Sequence, residues 1–163
     1  MNTGTLKFNA QGEREIAMTR VFDAPRALVY DAFCKPELFK RWLLGPPGWS
    51  LPVCEIDMRV GGAMRFVWRA PDGKEMGMRG VYREIVPQER VVYSEVFDDW
   101  PTTESLVTTA WAEQGAKTTL TITIRYPSRE IRDAIAATGM EQAVAANYER
   151  LEDLLASTPA RAG

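Results

Sequence analysis

The sequence predicts an α+β fold in which a curved antiparallel sheet of about seven strands closes over one long C-terminal helix. Between residues 52 and 127, segments of alternating apolar and polar residues are separated by short turn signals, which is typical of an antiparallel meander. Beyond residue 138 the pattern changes to that of a helix with one apolar face. Because sheet and helix each have one apolar face, the two faces are expected to cover each other.

One strand and two short helices are expected before the meander. Residues 13–22 mix apolar and polar side chains in rough alternation and predict the first strand. Asp23 then suits a helix N-cap and Pro25 the first helical turn, so a helix is expected over residues 25–34. The next proline ends that helix, and a second short helix is expected over residues 37–42.

Six further strands form the predicted meander. They are expected over residues 52–59, 63–70, 75–86, 90–97, 104–113 and 117–127. Asp72 and Gly73 lie between two alternating runs, which is a strong local signal for a hairpin. The last strand has the clearest alternation, with Leu120, Ile122 and Ile124 on one face and threonines on the other.

The long C-terminal helix is expected to begin near Met140. Ser128 can cap a first helical turn after the last strand, and Thr138 and Glu141 have the spacing of a capping box that would begin a new helix. Apolar residues then recur at spacings of three and four along one face: Met140, Val144, Tyr148, Leu151 and Leu155.

Composition and charge exclude several classes of function. The net charge is −2, from 20 Lys and Arg against 22 Asp and Glu, so no basic footprint for nucleic acid is present. The sequence has no histidine, which removes His-activated nucleophiles and imidazole metal ligands, and no metal or cofactor is expected. The apolar runs are too short for a membrane span, and no signal peptide is visible. Cys34 and Cys54 are interpreted as reduced, buried thiols of a cytoplasmic protein.

The candidate site is the apolar face of the sheet together with the facing side of the last helix. Thioether and aromatic side chains are concentrated there, and methionine suits a surface that adapts to a ligand. The residues predicted to line a cavity are Met64, Phe66, Trp68, Met76, Met78, Tyr82, Ile122, Met140, Val144 and Tyr148. Apolar stripes are more often plain core, and the sequence does not decide between a filled interface and a cavity.

A few polar groups near this face are candidates for chemistry. Glu84 and Glu95 could turn inward and act as acid or base if desolvation raised the pKa of the carboxyl, although exposed carboxylates are commoner. Four tyrosines could offer hydroxyls to a ligand: Tyr82, Tyr93, Tyr126 and Tyr148. Alternate arginines such as Arg65 and Arg79 are expected on the outer face of the sheet, where acidic neighbours such as Glu55, Asp57 and Glu84 would neutralise them.

Several segments resemble a known family. They are Arg20–Arg26, Phe39–Trp42, Asp57–Gly62, Met64–Trp68, Pro71–Gly73, Gly80–Pro87, Tyr126–Arg129, Thr138–Glu141 and Tyr148–Leu151. In these segments the chain resembles AHSA-type proteins, homologues of the activator of the heat-shock-90 ATPase within the START-related (SRPBCC) superfamily. The resemblance covers residues 13–156 as one domain, and residues 1–12 and 157–163 are expected to be flexible ends.

The resemblance implies the helix-grip fold, with a deep cavity often used for lipids, hormones, steroids or polyketides. The leading hypothesis is therefore non-catalytic binding of a small hydrophobic or amphipathic molecule. One alternative is a polyketide cyclase or aromatase-like enzyme. The other is a chaperone-associated interaction protein, which should expose an apolar patch around Trp42, Trp49 and Trp100. A homodimer is compatible with the size of the chain.

Overall fold

The computed structural model describes residues 5–158, which form eight strands and four helices. In chain order they are β1 (Lys7–Gln11), β2 (Glu15–Phe22), α1 (Arg26–Cys34), α2 (Pro36–Phe39), β3 (Ser50–Ile56), β4 (Ala63–Arg69), β5 (Glu75–Val86), β6 (Arg90–Phe97), β7 (Glu104–Gln114), β8 (Lys117–Arg125), α3 (Arg129–Ala136) and α4 (Met140–Ser157). The α+β class and the long C-terminal helix are confirmed.

All eight strands belong to one antiparallel sheet, in the order β1-β2-β8-β7-β6-β5-β4-β3. From β3 to β8 each strand pairs with the next strand in the chain, which is the predicted meander. Strand β2 instead pairs with β8, so that Met18 lies opposite Ile122. The segment that contains α1 and α2 therefore carries the chain across to β3 at the far edge of the sheet.

The sheet has one strand more than the expected seven. Lys7–Gln11 pairs with β2, although it lies within residues 1–12, which were expected to be a flexible end. Four of its five side chains are exposed, so it has no alternating apolar pattern that would reveal a strand. Residues 1–4 and 159–163, parts of the two expected flexible ends, lie outside the described residues.

The two short helices differ from the predictions at their ends. Helix α1 begins at Arg26 with no side-chain cap, so the predicted cap at Asp23 is wrong. Helix α2 ends at Phe39 and does not continue over residues 37–42 as expected. Its chain goes on in a tighter turn, in which the Trp42 amide donates to the carbonyl oxygen of Phe39 at 3.2 Å.

The junction between α3 and α4 shows one predicted cap and lacks the other. The Ile131 amide donates to Ser128 Oγ at 3.2 Å, which confirms the cap of α3. Helix α4 begins at Met140 as expected, but its N-cap is Gly139 at φ 88° and no side chain caps it. Thr138, the predicted cap, instead donates its hydroxyl to the carbonyl of Ile135. Glycine adopts this left-handed conformation without strain, which permits the change of helix direction.

Helix α4 is tied to the sheet by Arg20 of β2. The Arg20 side chain is 2% exposed, and its guanidinium donates to the Tyr148 carbonyl and to Glu149 Oε2, both at 3.1 Å. The same guanidinium lies 4.5 Å from the centre of the Phe22 ring, which in turn packs edge-on against Tyr148. These contacts fix the middle of the helix against the sheet.

Membrane-spanning helices and metal-ligand clusters can be sought directly in the described part of the chain. No helix between residues 5 and 158 is long and apolar enough to cross a membrane. The same residues bring together no group of three or more Cys, Asp or Glu side chains suited to hold a metal ion. Cys34 and Cys54 are unpaired and half-buried.

Candidate ligand-binding cavity

A cavity of about 520 Å³ lies between the inner face of the sheet and α4. Strands β4 to β8 all contribute to its wall, and they do so at alternate positions because every second side chain of a strand points to the same face. Strand β6 provides Val91, Tyr93, Glu95 and Phe97 in this way. Phe33 and Cys34 of α1 and Phe39 of α2 close one side.

All ten residues predicted to line a cavity do line this one. Three come from β4, three from β5, one from β8 and three from α4: Met64, Phe66 and Trp68; Met76, Met78 and Tyr82; Ile122; and Met140, Val144 and Tyr148. The protein's own side chains thus do not fill the interface between the sheet and the first half of α4. That these residues bind a ligand stays a prediction.

The loop after α2 forms a wall of the cavity that is fixed by hydrogen bonds to three different elements. The indole Nε1 of Trp42 donates to the Ala32 carbonyl, and that of Trp68 donates to the Leu43 carbonyl, both at 3.0 Å. The Gly45 amide donates to Asn147 Oδ1 of α4 at 2.9 Å. Because these three bonds hold the loop against α1, β4 and α4, this wall is preorganised.

One side of the cavity is polar, and sequence reasoning did not include it among the site residues. Glu95 of β6 lies opposite Ser105 of β7 in the sheet register, and Thr103 and Thr109 line the cavity beside Ser105. Within residues 5–158 the Glu95 carboxylate forms no hydrogen bond or ion pair with another residue. Desolvation raises the pKa of the Glu95 carboxyl from 4.5 to about 7.

Glu95 is the only charged side chain among the described residues that line the cavity. Burial raises the pKa of four lining tyrosines above its usual value, and the charge of Glu95 adds to this effect at Tyr93 and Tyr126; the four are Tyr82, Tyr93, Tyr126 and Tyr148. Burial likewise raises the pKa of the Cys34 thiol to about 12. These groups are therefore neutral near pH 7, and the thiol is a poor nucleophile.

The other carboxylate considered from the sequence, Glu84, lies on the outer face. Its oxygen Oε1 accepts a hydrogen bond from Arg90 Nε at 2.7 Å, and this bond lowers the pKa of the Glu84 carboxyl. Arg65 and Arg79 of the outer face are paired, but with an acidic residue other than the expected Glu55, Asp57 and Glu84. Asp98 is the partner of both Arg65, at 2.7 Å, and Arg79, at 3.3 Å.

The cavity opens beside the turn between β6 and β7. Trp100, Thr103, Ile135 and Thr138 line both this cavity and an adjoining pocket of about 210 Å³. The Trp100 side chain is 53% exposed at this point, whereas Trp42 is 1% exposed and Trp49 is half-buried. The three tryptophans therefore do not form one exposed apolar patch.

Solved structures of bacterial proteins have the same fold. A Rhodobacter sphaeroides protein is 28% identical with a TM-score of 0.88, and the match covers 94% of this chain and 99% of that one. A Chromobacterium violaceum protein is 30% identical with a TM-score of 0.78 and coverage of 89% and 99%. A Nitrosomonas europaea protein, 23% identical with a TM-score of 0.81 and coverage of 90% and 97%, shows the fold alone.

Comparison with curated proteins gives no match. The family model described as "Activator of Hsp90 ATPase homolog 1-like protein" matches residues 23–156. Together with the antiparallel sheet and the long C-terminal helix, this match confirms the resemblance drawn from the sequence. The chain belongs to the family of activator of Hsp90 ATPase homolog 1-like proteins, with the helix-grip fold.

Proposed function

We propose that this protein binds a small hydrophobic or amphipathic molecule in the cavity between the sheet and α4. The observation that carries the proposal is a cavity of about 520 Å³ whose wall is mostly aromatic, aliphatic and thioether side chains. Cavities of this size with a few polar groups are the usual form of small-molecule sites. The unpaired thiols Cys34 and Cys54 fit the cytoplasmic location expected from the sequence.

The composition of the wall supports a ligand with a variable shape. Six of the seven methionines of the sequence line the cavity: Met18, Met58, Met64, Met76, Met78 and Met140. Methionine has three rotatable bonds and a polarizable sulfur, so a wall of this kind can adjust to its contents. The loop after α2, fixed by the indole hydrogen bonds of Trp42 and Trp68, provides the rigid side of the same site.

A thermal-shift screen against sterols, aromatic polyketides and long-chain alcohols tests the proposal, with native mass spectrometry to establish stoichiometry. A ligand at a hundred times its Kd stabilises the folded state by about 2.7 kcal/mol, which raises the Tm by roughly 5–10 °C. Val144→Phe places a ring in the cavity and should abolish the shift. No stabilising or co-purifying molecule across the whole panel would refute the proposal.

An enzymatic role is a second candidate because Glu95 faces the cavity. A carboxyl whose pKa is about 7 is suited to general acid–base catalysis at neutral pH, as a polyketide cyclase or aromatase would need. Turnover of a polyketide-like substrate that is lost in Glu95→Gln, while binding persists, would establish it. Binding without turnover in the unaltered protein would favour the non-catalytic function.

A further inference from the structure

Glu95 places a carboxylate in the cavity wall, and a purely apolar ligand would have no use for it. Its carboxylate lines the cavity and, within the described residues, has no hydrogen-bond or ion-pair partner. A partly buried charge without a partner in the protein costs free energy, whereas an apolar residue at the same position would match Val91, Tyr93 and Phe97 on this face of β6. The fold therefore gains nothing from this carboxylate.

The charge of the wall determines which ligands suit it. Over residues 5–158 no Lys or Arg lines the cavity, so an anionic ligand would face the Glu95 carboxylate with no cation to offset the repulsion. A cation would be attracted both by the carboxylate and by the aromatic rings that line the cavity with it, among them Tyr93, Phe97 and Tyr126. The wall thus favours positive charge in the ligand.

We propose that the natural ligand is an apolar molecule that carries a protonated amine, and that the amine pairs with the Glu95 carboxylate. This inference rests on the proposed function, since it identifies the polar end of the molecule that the cavity would hold. The hydroxyl of Ser105, opposite Glu95 on β7, and that of Thr103, just before this strand, can accept further N–H hydrogen bonds. The apolar body of the ligand then contacts the methionine and aromatic side chains of β4 and β5.

The N-terminus of α4 favours a ligand of the opposite charge, so the experiment must also test for an anionic ligand. Thr138 and Gly139 border the cavity, and the free N–H groups at the start of a helix favour an anion. Glu141 already places a carboxylate in this first turn, which offsets that preference. Probes of positive, zero and negative charge distinguish the two features.

Three naphthalene derivatives provide such probes: 2-naphthylmethylamine, 2-naphthylmethanol and 2-naphthoate. Isothermal titration calorimetry at about pH 8 should show the amine binding at least about tenfold more tightly than the alcohol, and naphthoate most weakly. The affinity for the amine should fall as the pH is lowered through about 7, because Glu95 takes up a proton there. The affinity for the alcohol should not change, since the other titratable groups that line the cavity, four tyrosines and Cys34, stay neutral.

Two matched variants complete the experiment. Glu95→Gln should lower the affinity for the amine by at least about tenfold and leave that for the alcohol within about twofold, which also shows that the variant folds. Glu84→Gln removes a carboxylate from the outer face and should change neither affinity. Equal affinities for amine and alcohol, or tightest binding of naphthoate, would overturn this inference. Either result would leave the proposed function standing. Binding of none of the three would overturn both.

Discussion

The two halves of α4 face the same sheet in different ways. The first half contributes Met140, Ala143, Val144 and Asn147 to the cavity wall, together with Tyr148 at the middle of the helix. The second half buries Leu151, Leu154 and Leu155, and none of these lines the cavity. Packing is thus concentrated at one end of the helix, while the other end is held at a distance from the sheet.

This difference separates the residues that stabilise the fold from those that form the site. Leu151 is 0% exposed, and burying a leucine side chain contributes about 2 kcal/mol. The buried guanidinium of Arg20 adds an ion pair with the exposed Glu149 and a hydrogen bond to the Tyr148 carbonyl at the middle of the helix. Because its middle and its second half anchor α4, Met140 and Val144, the partly buried side chains that its first half presents to the cavity, can vary with little cost to the fold.

The largest expected effect comes from truncating a leucine at the packed end. Leu151→Ala should lower the free energy of unfolding by about 3 kcal/mol, because it leaves a cavity in a packed core. Val144→Ala, in the same helix but facing the cavity, should cost less than about 1 kcal/mol. Urea denaturation of the two variants measures both values, and similar losses would contradict the division of α4 into two halves.

The next largest effect is expected at the ion pair that anchors the helix. Arg20→Ala should destabilise the protein by roughly 2–3 kcal/mol, since the guanidinium is buried and hydrogen-bonded to α4. Arg65→Ala removes a more exposed arginine of the outer face, paired with Asp98, and should cost less than about 1 kcal/mol. Thermal unfolding of both variants measures the two losses of stability. If Arg20→Ala loses no more stability than Arg65→Ala, Arg20 does not anchor the helix.

At the cavity end, Glu95 should make stability depend on pH. Its pKa is about 7 in the folded protein against an ordinary 4.5, so between these values the folded state holds a proton that the unfolded state releases. The stability of the unaltered protein should therefore fall as the pH rises from 4.5 to 7, and the loss should be complete above that range.

Glutamine cannot ionise, so the stability of Glu95→Gln should not fall over this pH range. Its free energy of unfolding, relative to that of the unaltered protein, should be about 2 kcal/mol higher at about pH 8 than at about pH 5. Urea denaturation at the two pH values measures this gain. Glu84→Gln is the control, because its pKa is shifted downward by Arg90 and the variant should show no such gain. A stability difference for Glu95→Gln that does not vary with pH would contradict the account.

The smallest effect is expected when a larger side chain enters the cavity. Val144→Phe should change the free energy of unfolding by less than about 1 kcal/mol, because the added ring has space to occupy. Val29→Phe adds the same atoms at a fully buried position of α1 outside the cavity wall and should cost roughly 1–3 kcal/mol. Equal destabilisation by both substitutions would show that Val144 faces packed protein.

The parts of the fold that could be predicted are those with a periodic pattern. Alternation located seven strands, and the three-and-four spacing from Met140 located α4. Strand β1 has no such pattern because four of its five side chains are exposed, and its pairing comes from backbone hydrogen bonds that any sequence can make. The predicted cap at Thr138 failed because Gly139 occupies the N-cap position.

The candidate site was predicted on its apolar side and missed on its polar side. Glu95 was a candidate acid or base but was not among the residues predicted to line the cavity. Its alternation with Val91, Tyr93 and Phe97 could have placed it there, because alternate residues of a strand share one face. Strand β5 also contains Gly80, and a glycine within a strand can leave space beside it. A Cβ atom there would collide with the Ser94 carbonyl, so this glycine permits close approach of two strands and does not enlarge the cavity.

The central claim is that the first half of α4 faces a cavity able to hold an apolar molecule. A crystal structure under xenon pressure tests it most directly, since xenon enters apolar cavities and is visible by its scattering. The account predicts xenon between Phe66 of β4 and Val144 of α4. Side chains of the protein itself packed across that space, with no xenon there, would contradict it.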